Sequence, residues 1–237
     1  MIDKRRTDPP QTQPENSIDF DDFSGGYDAL LRESTKQYTN DIEYFARYKV
    51  AIMQKRVQHP VRRVLEYGCG IGRNISHIAK AFPESEIVGT DISATSLEIA
   101  ANLNPNVHFE VEHQNLDIGT FDLIFVASVF HHIPLEQRFN AMSSLSKRLN
   151  PNGNIFIFEH NPYNPVTRRI VSTCPFDADA ILLKPSELTT LFSNTNINLI
   201  KKSFCLFIPP KLHLLNPIEK MITWLPLGGQ YWVQGSK

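Results

Sequence analysis

Two acidic residues and three glycines form the part of the sequence best suited to binding a ligand. Glu66 ends an apolar run and is followed by Gly68, Gly70 and Gly72. Such glycines allow a tight turn and a close approach of the backbone to a ligand, and the helix predicted after them offers free N–H donors. Asp91 ends the next apolar run, near the offset of ~20 residues at which an acid meets a ribose hydroxyl in βαβ nucleotide sites. The pattern therefore predicts a nucleotide-type site.

The spacing of the glycines favours one kind of ligand over another. It reads G-x-G-x-G, whereas dinucleotide sites use G-x-G-x-x-G and hold a pyrophosphate at the helix N-terminus. The carboxylate of Glu66 would repel a pyrophosphate and suits an ammonium or hydroxyl group. Two alternatives stay open. One is a nicotinamide-dependent oxidoreductase, and the other is a protein of the same fold that binds its cofactor but catalyses no reaction.

Three histidines are candidates for a general base. His131 and His132 follow the fourth predicted strand, and His160 follows Glu159 at the end of the fifth. An unperturbed imidazole titrates near neutrality, so each could accept a proton. His131 and His132 could instead cap a helix or form hydrogen bonds with the backbone. Glu159 and His160 could instead form an ion pair or hold a loop in place. Adjacent histidines on a turn rarely converge on a metal and no third ligand is evident, so we expect no metal site.

These residues must be positioned by alternating strands and helices. Strands are predicted near 62–67, 86–91, 107–112, 121–127 and 153–159, and helices near 72–81, 93–103 and 135–149. Such alternation is typical of a doubly wound α/β fold with helices on both faces of a parallel sheet. Ligands bind there at the carboxyl ends of the strands, where the prediction places Glu66, Asp91, Ser128 and Glu159.

The remaining segments do not follow the alternation. Residues 1–17 are polar with three prolines and are predicted to be a disordered tail. Residues 18–58 are predicted to form a helical region, with apolar residues at helical spacing towards its end. The segment 160–184 is predicted to be a functional loop with one helical turn around 166–171, and 209–226 carries four prolines. Two further apolar strands are predicted at 197–208 and 229–236.

Composition limits the class of protein. The chain has 237 residues, a net charge of −1, 41% hydrophobic and 21% charged residues, which is typical of one soluble domain over 18–237. The chain has no excess of basic residues, so its charge does not indicate nucleic acid as a partner. No apolar run reaches the ~20 residues of a membrane span. The N-terminus lacks the apolar core of a signal peptide, and the three cysteines are too scattered for a disulfide framework. We therefore expect a cytoplasmic protein, either a monomer or a homodimer.

Four blocks of sequence resemble the class I S-adenosylmethionine-dependent methyltransferases, particularly the small-molecule enzymes of methyltransferase types 11 and 12. They begin at Glu66-Tyr-Gly68-Cys-Gly70-Ile-Gly72, Gly89-Thr-Asp91-Ile-Ser93, Phe121-Asp122-Leu-Ile-Phe-Val126 and Leu149-Asn-Pro151-Asn-Gly153. The resemblance covers residues 20–237. It implies a Rossmann-like seven-stranded sheet, parallel with a terminal antiparallel strand, under an N-terminal helical lid at 18–58.

The resemblance also implies a cofactor, a reaction and a set of site residues. S-adenosyl-L-methionine would donate a methyl group by SN2 displacement to a small-molecule acceptor, most simply at oxygen. The acceptor, of the sugar, lipid-linked or secondary-metabolite type, would lie between the lid, the histidines and the loops 160–184 and 209–226. The usual Gly-Asp is absent at 114–116, which weakens the assignment of the adenine edge. The implied cofactor contacts are Tyr27, Glu66, Gly68, Gly70, Asp91, Ile92, Asn115, Leu116, Ala127 and Ser128.

Overall fold

A seven-stranded sheet organises the molecule. The computed structural model describes residues 41, 43–209 and 216–237, so the predicted tail at 1–17, Tyr27 and the lid residues before 41 lie outside the described residues. The strands are β1 (Arg63–Tyr67), β2 (Glu86–Asp91), β3 (His108–Val111), β4 (Phe121–Ala127), β5 (Leu149–His160), β6 (Asn198–Cys205) and β7 (Gln230–Ser236). Their order is β3-β2-β1-β4-β5-β7-β6. The first five are parallel, and β7 runs antiparallel to both β5 and β6. The predicted Rossmann-like sheet is confirmed.

Helices cover both faces of this sheet, because alternate strand residues point to opposite sides. They are α1 (Tyr44–Arg56), α2 (Ile75–Ala81), α3 (Ala94–Leu103), α4 (Leu135–Arg148), α5 (Pro165–Thr173), α6 (Pro185–Asn194) and α7 (Asn216–Ile222). Ile155 and Ile157 of β5 belong to a core shared with α4 and α6. Phe156 and Phe158 belong to a separate core shared with α1 and α2. None of the helices in the described ranges is long and apolar enough to cross a bilayer.

The strand order creates a crevice for a ligand. The chain runs outwards from β1 to β2 and β3, and then returns to place β4 on the other side of β1. The loops after β1 and β4 therefore leave the sheet in opposite directions, which is where open α/β sheets bind ligands. The carboxyl ends of β1, β2, β4 and β5 lie along this edge, as the sequence predicted for Glu66, Asp91, Ser128 and Glu159.

The segment after β5 holds more helix than the sequence indicated. The predicted single turn at 166–171 is the nine-residue α5. Asn164 caps it, since Asn164 Oδ1 accepts hydrogen bonds from the backbone N–H groups of Val166 at 2.9 Å and Thr167 at 3.1 Å. Pro165 occupies the first helical position, where the absence of an N–H has no cost. The cap and the proline stabilise the start of this helix, which ends two residues beyond the predicted turn.

Candidate active site

The glycine loop after β1 has a backbone that other residues adopt only with strain. Gly68 has φ +70° and Gly70 has φ +52°, both in the left-handed region that favours glycine. A Cβ added at Gly68 would overlap the side chain of Val129, whereas one added at Gly70 would meet no atom within 4 Å. Gly68 is therefore required for packing against the loop after β4, and Gly70 leaves open space on the wall of a cavity.

Glu66 is a buried acid with an unused oxygen. Its Oε1 accepts a 2.6 Å hydrogen bond from Asn74 Nδ2, while its Oε2 has no hydrogen-bond partner within the described part of the chain. Burial raises the pKa of Glu66 to about 8. The side chain lies behind the cavity wall, which its neighbours Tyr67, Gly68 and Asn74 form. A cationic ligand group at this wall would stabilise the ionised carboxylate.

Asp91 fixes the glycine loop to the end of β2. Its Oδ2 accepts a 2.7 Å hydrogen bond from the Gly70 N–H, and its Oδ1 accepts one of 3.0 Å from Ser93 N–H. Ser93 in turn caps α3. The next residue, Ile92, is 63% exposed on the cavity wall. An apolar side chain held in the open beside a carboxylate suits a flat apolar ring attached to a hydroxylated sugar.

The edge of the cavity beyond β3 differs from the predicted one. Neither Asn115 nor Leu116 is among the residues that line the cavity, and Glu112 takes that place. Arg148 holds Glu112 through two hydrogen bonds of 2.8 Å and also donates to the backbone carbonyl of Leu116. The sequence offered a signal for Glu112, because it is the first residue after β3, as Asp91 is the last of β2.

Ala127 and Ser128 line the cavity at the end of β4. Ser128 has φ +60°, an unusual value for a residue with a Cβ. A 2.8 Å hydrogen bond from the Ser128 N–H to the carbonyl of Phe158 holds it there. Such backbone strain is concentrated at functional sites, where the surrounding structure imposes it.

His131 and Glu159 form a buried pair at the bottom of the cavity. His131 Nδ1 lies 2.6 Å from Glu159 Oε2. Glu159 Oε1 accepts hydrogen bonds from the backbone N–H groups of Val129 at 3.0 Å and Phe130 at 2.7 Å. Burial opposes ionisation of both groups, yet their mutual attraction outweighs it: the pKa of His131 rises to about 9, and that of Glu159 falls below its usual range. Because the ionised carboxylate only accepts, Nδ1 of His131 carries a proton.

Two further imidazoles and a second carboxylate complete this cluster. The His131 ring centroid lies 4.1 Å from that of His132 and 5.0 Å from that of His160. Burial and the charge on His131 lower the pKa of His132 and bring that of His160 to about 4. Asp177 Oδ1 lies 3.4 Å from Nε2 of both His131 and His132. The structure thus brings the three predicted histidines together and adds Asp177, which sequence reasoning missed.

The segment 160–184 is anchored to the cluster. The N–H of Ile181 donates a 2.8 Å hydrogen bond to the backbone carbonyl of His131. Arg138 of α4 is buried and donates to the carbonyl of Ile181 at 2.6 Å and to that of Ile133 at 2.9 Å. Tyr231 of β7 donates to the carbonyl of Leu183 at 3.0 Å. These bonds fix the position of Asp177, whose place no spacing in the sequence indicates.

One cavity of about 620 Å³ joins the glycine loop to the histidine cluster. This volume lies within the range of small-molecule sites. Lys49 of α1 lies on the wall, and burial lowers its pKa. Apolar side chains line much of the rest: Phe45, Val166, Ile170, Phe176, Ile208, Pro209 and Leu227. Residues of the predicted lid and of the segments 160–184 and 209–226 therefore contribute to the wall, while Arg168 and Arg169 are exposed outside it.

Comparisons with known proteins agree with this geometry. Residues 65–155 match the model of a methyltransferase domain family. This match covers less than half of the chain, and the sheet order and fold are similar to those of solved SAM-dependent methyltransferase structures.

Particular relatives share parts of the chain. Trans-aconitate 2-methyltransferase of Deinococcus radiodurans is 31% identical over 97 residues, which are 40% of this chain and 37% of that protein. Malonyl-[acyl-carrier protein] O-methyltransferase of Legionella pneumophila is 28% identical over 113 residues, covering 43% and 40%. The match thus spans about two fifths of these curated relatives. A SAM-dependent methyltransferase structure from Archaeoglobus fulgidus has the same fold, with a TM-score of 0.67 at 16% identity, covering 89% of this chain and all of that one.

Proposed function

We propose that this protein transfers a methyl group from S-adenosylmethionine to an oxygen atom of a small-molecule acceptor. The observation that carries the proposal is the single cavity that connects the glycine loop to a cluster of proton acceptors. S-adenosylmethionine supplies an electrophilic methyl group when it is bound. The protein must then hold an acceptor atom in line with that group, and such alignment can contribute about 7–11 kcal/mol.

The residues at the glycine loop fit the cofactor. The unused Oε2 of Glu66 matches the ammonium of its methionine part. Asp91 matches the ribose hydroxyls, with Gly70 leaving room for close approach. The exposed Ile92 offers a surface for the adenine. The carboxylate of Glu112 would accept a hydrogen bond from the amino group of the adenine. Ala127 and Ser128 would line the methionine part through their backbone. We propose these residues as the cofactor site, without Asn115 and Leu116.

The acceptor would occupy the part of the cavity beyond Ser128. One side of that region is apolar, formed by Val166, Ile170 and Phe176, and the other side carries His131, His132 and His160. This combination suits an organic acceptor with an apolar body and a hydroxyl or carboxylate directed at the histidines. The name of the Legionella relative, an O-methyltransferase, also favours oxygen as the accepting atom. Sugars, lipid-linked compounds and secondary metabolites all contain such groups.

The histidine cluster would receive the proton of a hydroxyl acceptor. A positioned base typically contributes about 10²–10⁴-fold to the rate. His132 and His160 are the proposed acceptors of the proton, because the pKa of His131 rises to about 9, which keeps its ring protonated near neutral pH, whereas burial and the charge on His131 lower the pKa of the other two rings. Alanine substitutions of His131, His132 and His160 should each be assayed at saturating cofactor. Loss of turnover with unchanged cofactor affinity would support a histidine as the general base. Unchanged turnover in all three variants would refute a role for these histidines as the base.

Methyl transfer itself is tested with a carbon-13-labelled methyl donor. The purified protein is incubated with labelled S-adenosylmethionine and a panel of hydroxyl, carboxylate, amine and activated-carbon compounds. The carbon chemical shift of the product reports whether the methyl group is on oxygen, nitrogen or carbon. We expect an O-methyl product. An N-methyl or C-methyl product would refute oxygen as the acceptor atom.

Two alternatives make different predictions for binding. Thermal unfolding is measured with S-adenosylmethionine, S-adenosylhomocysteine and NADPH, since a ligand that binds only the native state raises the melting temperature. We expect stabilisation by the first two compounds. Stabilisation by NADPH alone would favour an oxidoreductase. Tight cofactor binding with no product from the whole panel would favour a homologue without turnover.

A further inference from the structure

The histidine cluster has the composition and spacing of a metal site. Ligand atoms of His131, His160 and Asp177 all lie within 4.8 Å of one another, and His131 Nε2 lies 3.4 Å from Asp177 Oδ1. Two ligands of a metal ion at ~2.0–2.2 Å are separated by about 3.0–3.5 Å in tetrahedral or octahedral geometry. The side chains therefore need only small rotations to share one ion.

The His131 Nε2 atom points to a ligand at this position. His131 is 1% exposed, and its Nε2 has no hydrogen-bond partner within the described ranges, despite the nearby Asp177. An unpaired polar atom buried this deeply costs free energy, and proteins usually provide it with a partner. A metal ion between His131, His160 and Asp177 would supply that partner.

The residues around the cluster have the arrangement of a second coordination shell. Metal-bound histidines usually donate their other ring N–H to a carboxylate, which fixes the tautomer. His131 Nδ1 faces Glu159 at 2.6 Å, and His132 Nδ1 faces Asp179 at 3.3 Å. In both rings Nε2 is thereby turned towards Asp177 Oδ1, at 3.4 Å in each case. Glu159 is itself held by two backbone N–H groups, so the geometry of the site is fixed in advance.

From this geometry we infer that His131, His160 and Asp177 bind a divalent transition-metal ion, with His132 beside them. Imidazole nitrogen with one carboxylate oxygen suits zinc and its first-row neighbours rather than calcium or magnesium. The ion would also balance the charge of Glu159 and Asp177, two carboxylates in a largely buried cluster. All three ligands line the cavity, so a fourth position faces the acceptor. If the proposed function holds, the ion would position the acceptor oxygen and favour loss of its proton. With His160 bound to the ion, His132 would be the remaining imidazole that accepts this proton.

The test measures metal binding without cofactor or acceptor. Protein freed of metal by a chelator is titrated with Co²⁺, whose visible absorption reports its coordination, and with Zn²⁺ by calorimetry. We expect one ion per chain. Asp177→Asn keeps the shape of the side chain and should weaken binding at least tenfold, and Glu159→Gln should weaken it about 10–100-fold through His131. His113→Gln, an exposed histidine outside the cavity, should leave affinity unchanged.

Several outcomes would overturn the inference. These are absence of binding, equal affinity in wild type and Asp177→Asn, or an affinity that falls in His113→Gln instead. Stabilisation of Asp177→Asn by S-adenosylhomocysteine verifies that the variant folds; if it fails, His160→Gln replaces it in the comparison. The two proposals fail separately: a methylated product from a chain that binds no metal refutes only the metal site, and metal binding without any product refutes only methyl transfer.

Discussion

Replacing Glu66 by glutamine should make the cofactor-free protein more stable at alkaline pH. The substitution keeps the length of the side chain and an oxygen for the Asn74 hydrogen bond, but it removes the carboxylate that burial makes costly to ionise. At acid pH the wild-type carboxyl is neutral, like the amide, and the two proteins should differ by a constant amount. Above that range only the wild type gains a buried charge.

The size of the effect follows from the pKa of Glu66, which burial raises from 4.5 to about 8. A raised pKa means that the folded protein holds the proton more tightly than the unfolded chain, so stability falls as pH rises between these values. At about 1.4 kcal/mol for each pH unit, ionisation of Glu66 costs up to about 5 kcal/mol of unfolding free energy once the pH exceeds 8. Around pH 7 the cost is about 3 kcal/mol.

Urea unfolding at several values between about pH 4 and pH 9 measures this effect. The stability difference between Glu66→Gln and wild type should shift in favour of the variant as pH rises. Glu84→Gln, at an exposed position, is the matched control and should follow the wild type throughout. The same Glu66 variant should bind S-adenosylmethionine at least ~10-fold more weakly, since a charged partner is lost. A difference independent of pH, or one favouring the wild type at high pH, would refute the reasoning.

Four further substitutions test other parts of the site. Asp91→Ala should weaken cofactor affinity about 10–100-fold by calorimetry, because it removes a charged acceptor; retained affinity would refute the ribose assignment. Gly68→Ala should lower the unfolding free energy of the cofactor-free protein by about 2–4 kcal/mol in urea, because backbone strain adds to the overlap with Val129. Gly70→Ala adds strain without an overlap and should cost only ~1–2 kcal/mol. Equal losses in the two variants would argue against the packing role of Gly68. Asn164→Ala should lower the unfolding free energy by ~1 kcal/mol through loss of the α5 cap, and an unchanged value in the same assay would contradict that role.

The sheet could be predicted because its signals are local. The strands β1, β2, β4 and β5 are each followed by a turn and a helix, and the glycine loop after β1 indicates which edge of the sheet would bind a ligand. The acids Glu66 and Asp91 could be predicted as candidate ligand contacts for the same reason, since Glu66 is the penultimate residue of β1 and Asp91 is the last residue of β2. Asn115, predicted for the adenine edge, lies three residues after Glu112, which is the residue of this segment that lines the cavity.

The histidine cluster could be predicted only in part. His131, His132 and His160 follow strands, so their edge of the sheet was evident. Asp177 could not be placed, because α5, the turn after it and the Ile181 contact to His131 determine its position. The expectation of no metal site rested on the lack of a third ligand, and Asp177 is the third residue of the site that we propose.

The place of β7 in the sheet determines how the molecule can open locally. Within the described structure β6 pairs only with β7, whereas β7 also pairs with β5. A fluctuation that separates β7 from β5 also separates β6 from the rest of the sheet, so we expect the two strands to open together. The same fluctuation would free the edge of β5 that carries Glu159 and His160, whose partners are Tyr231 and Gln230. The stability of the cavity around Glu159 and His160 thus depends on β6 and β7, two strands that are distant in sequence from the glycine loop.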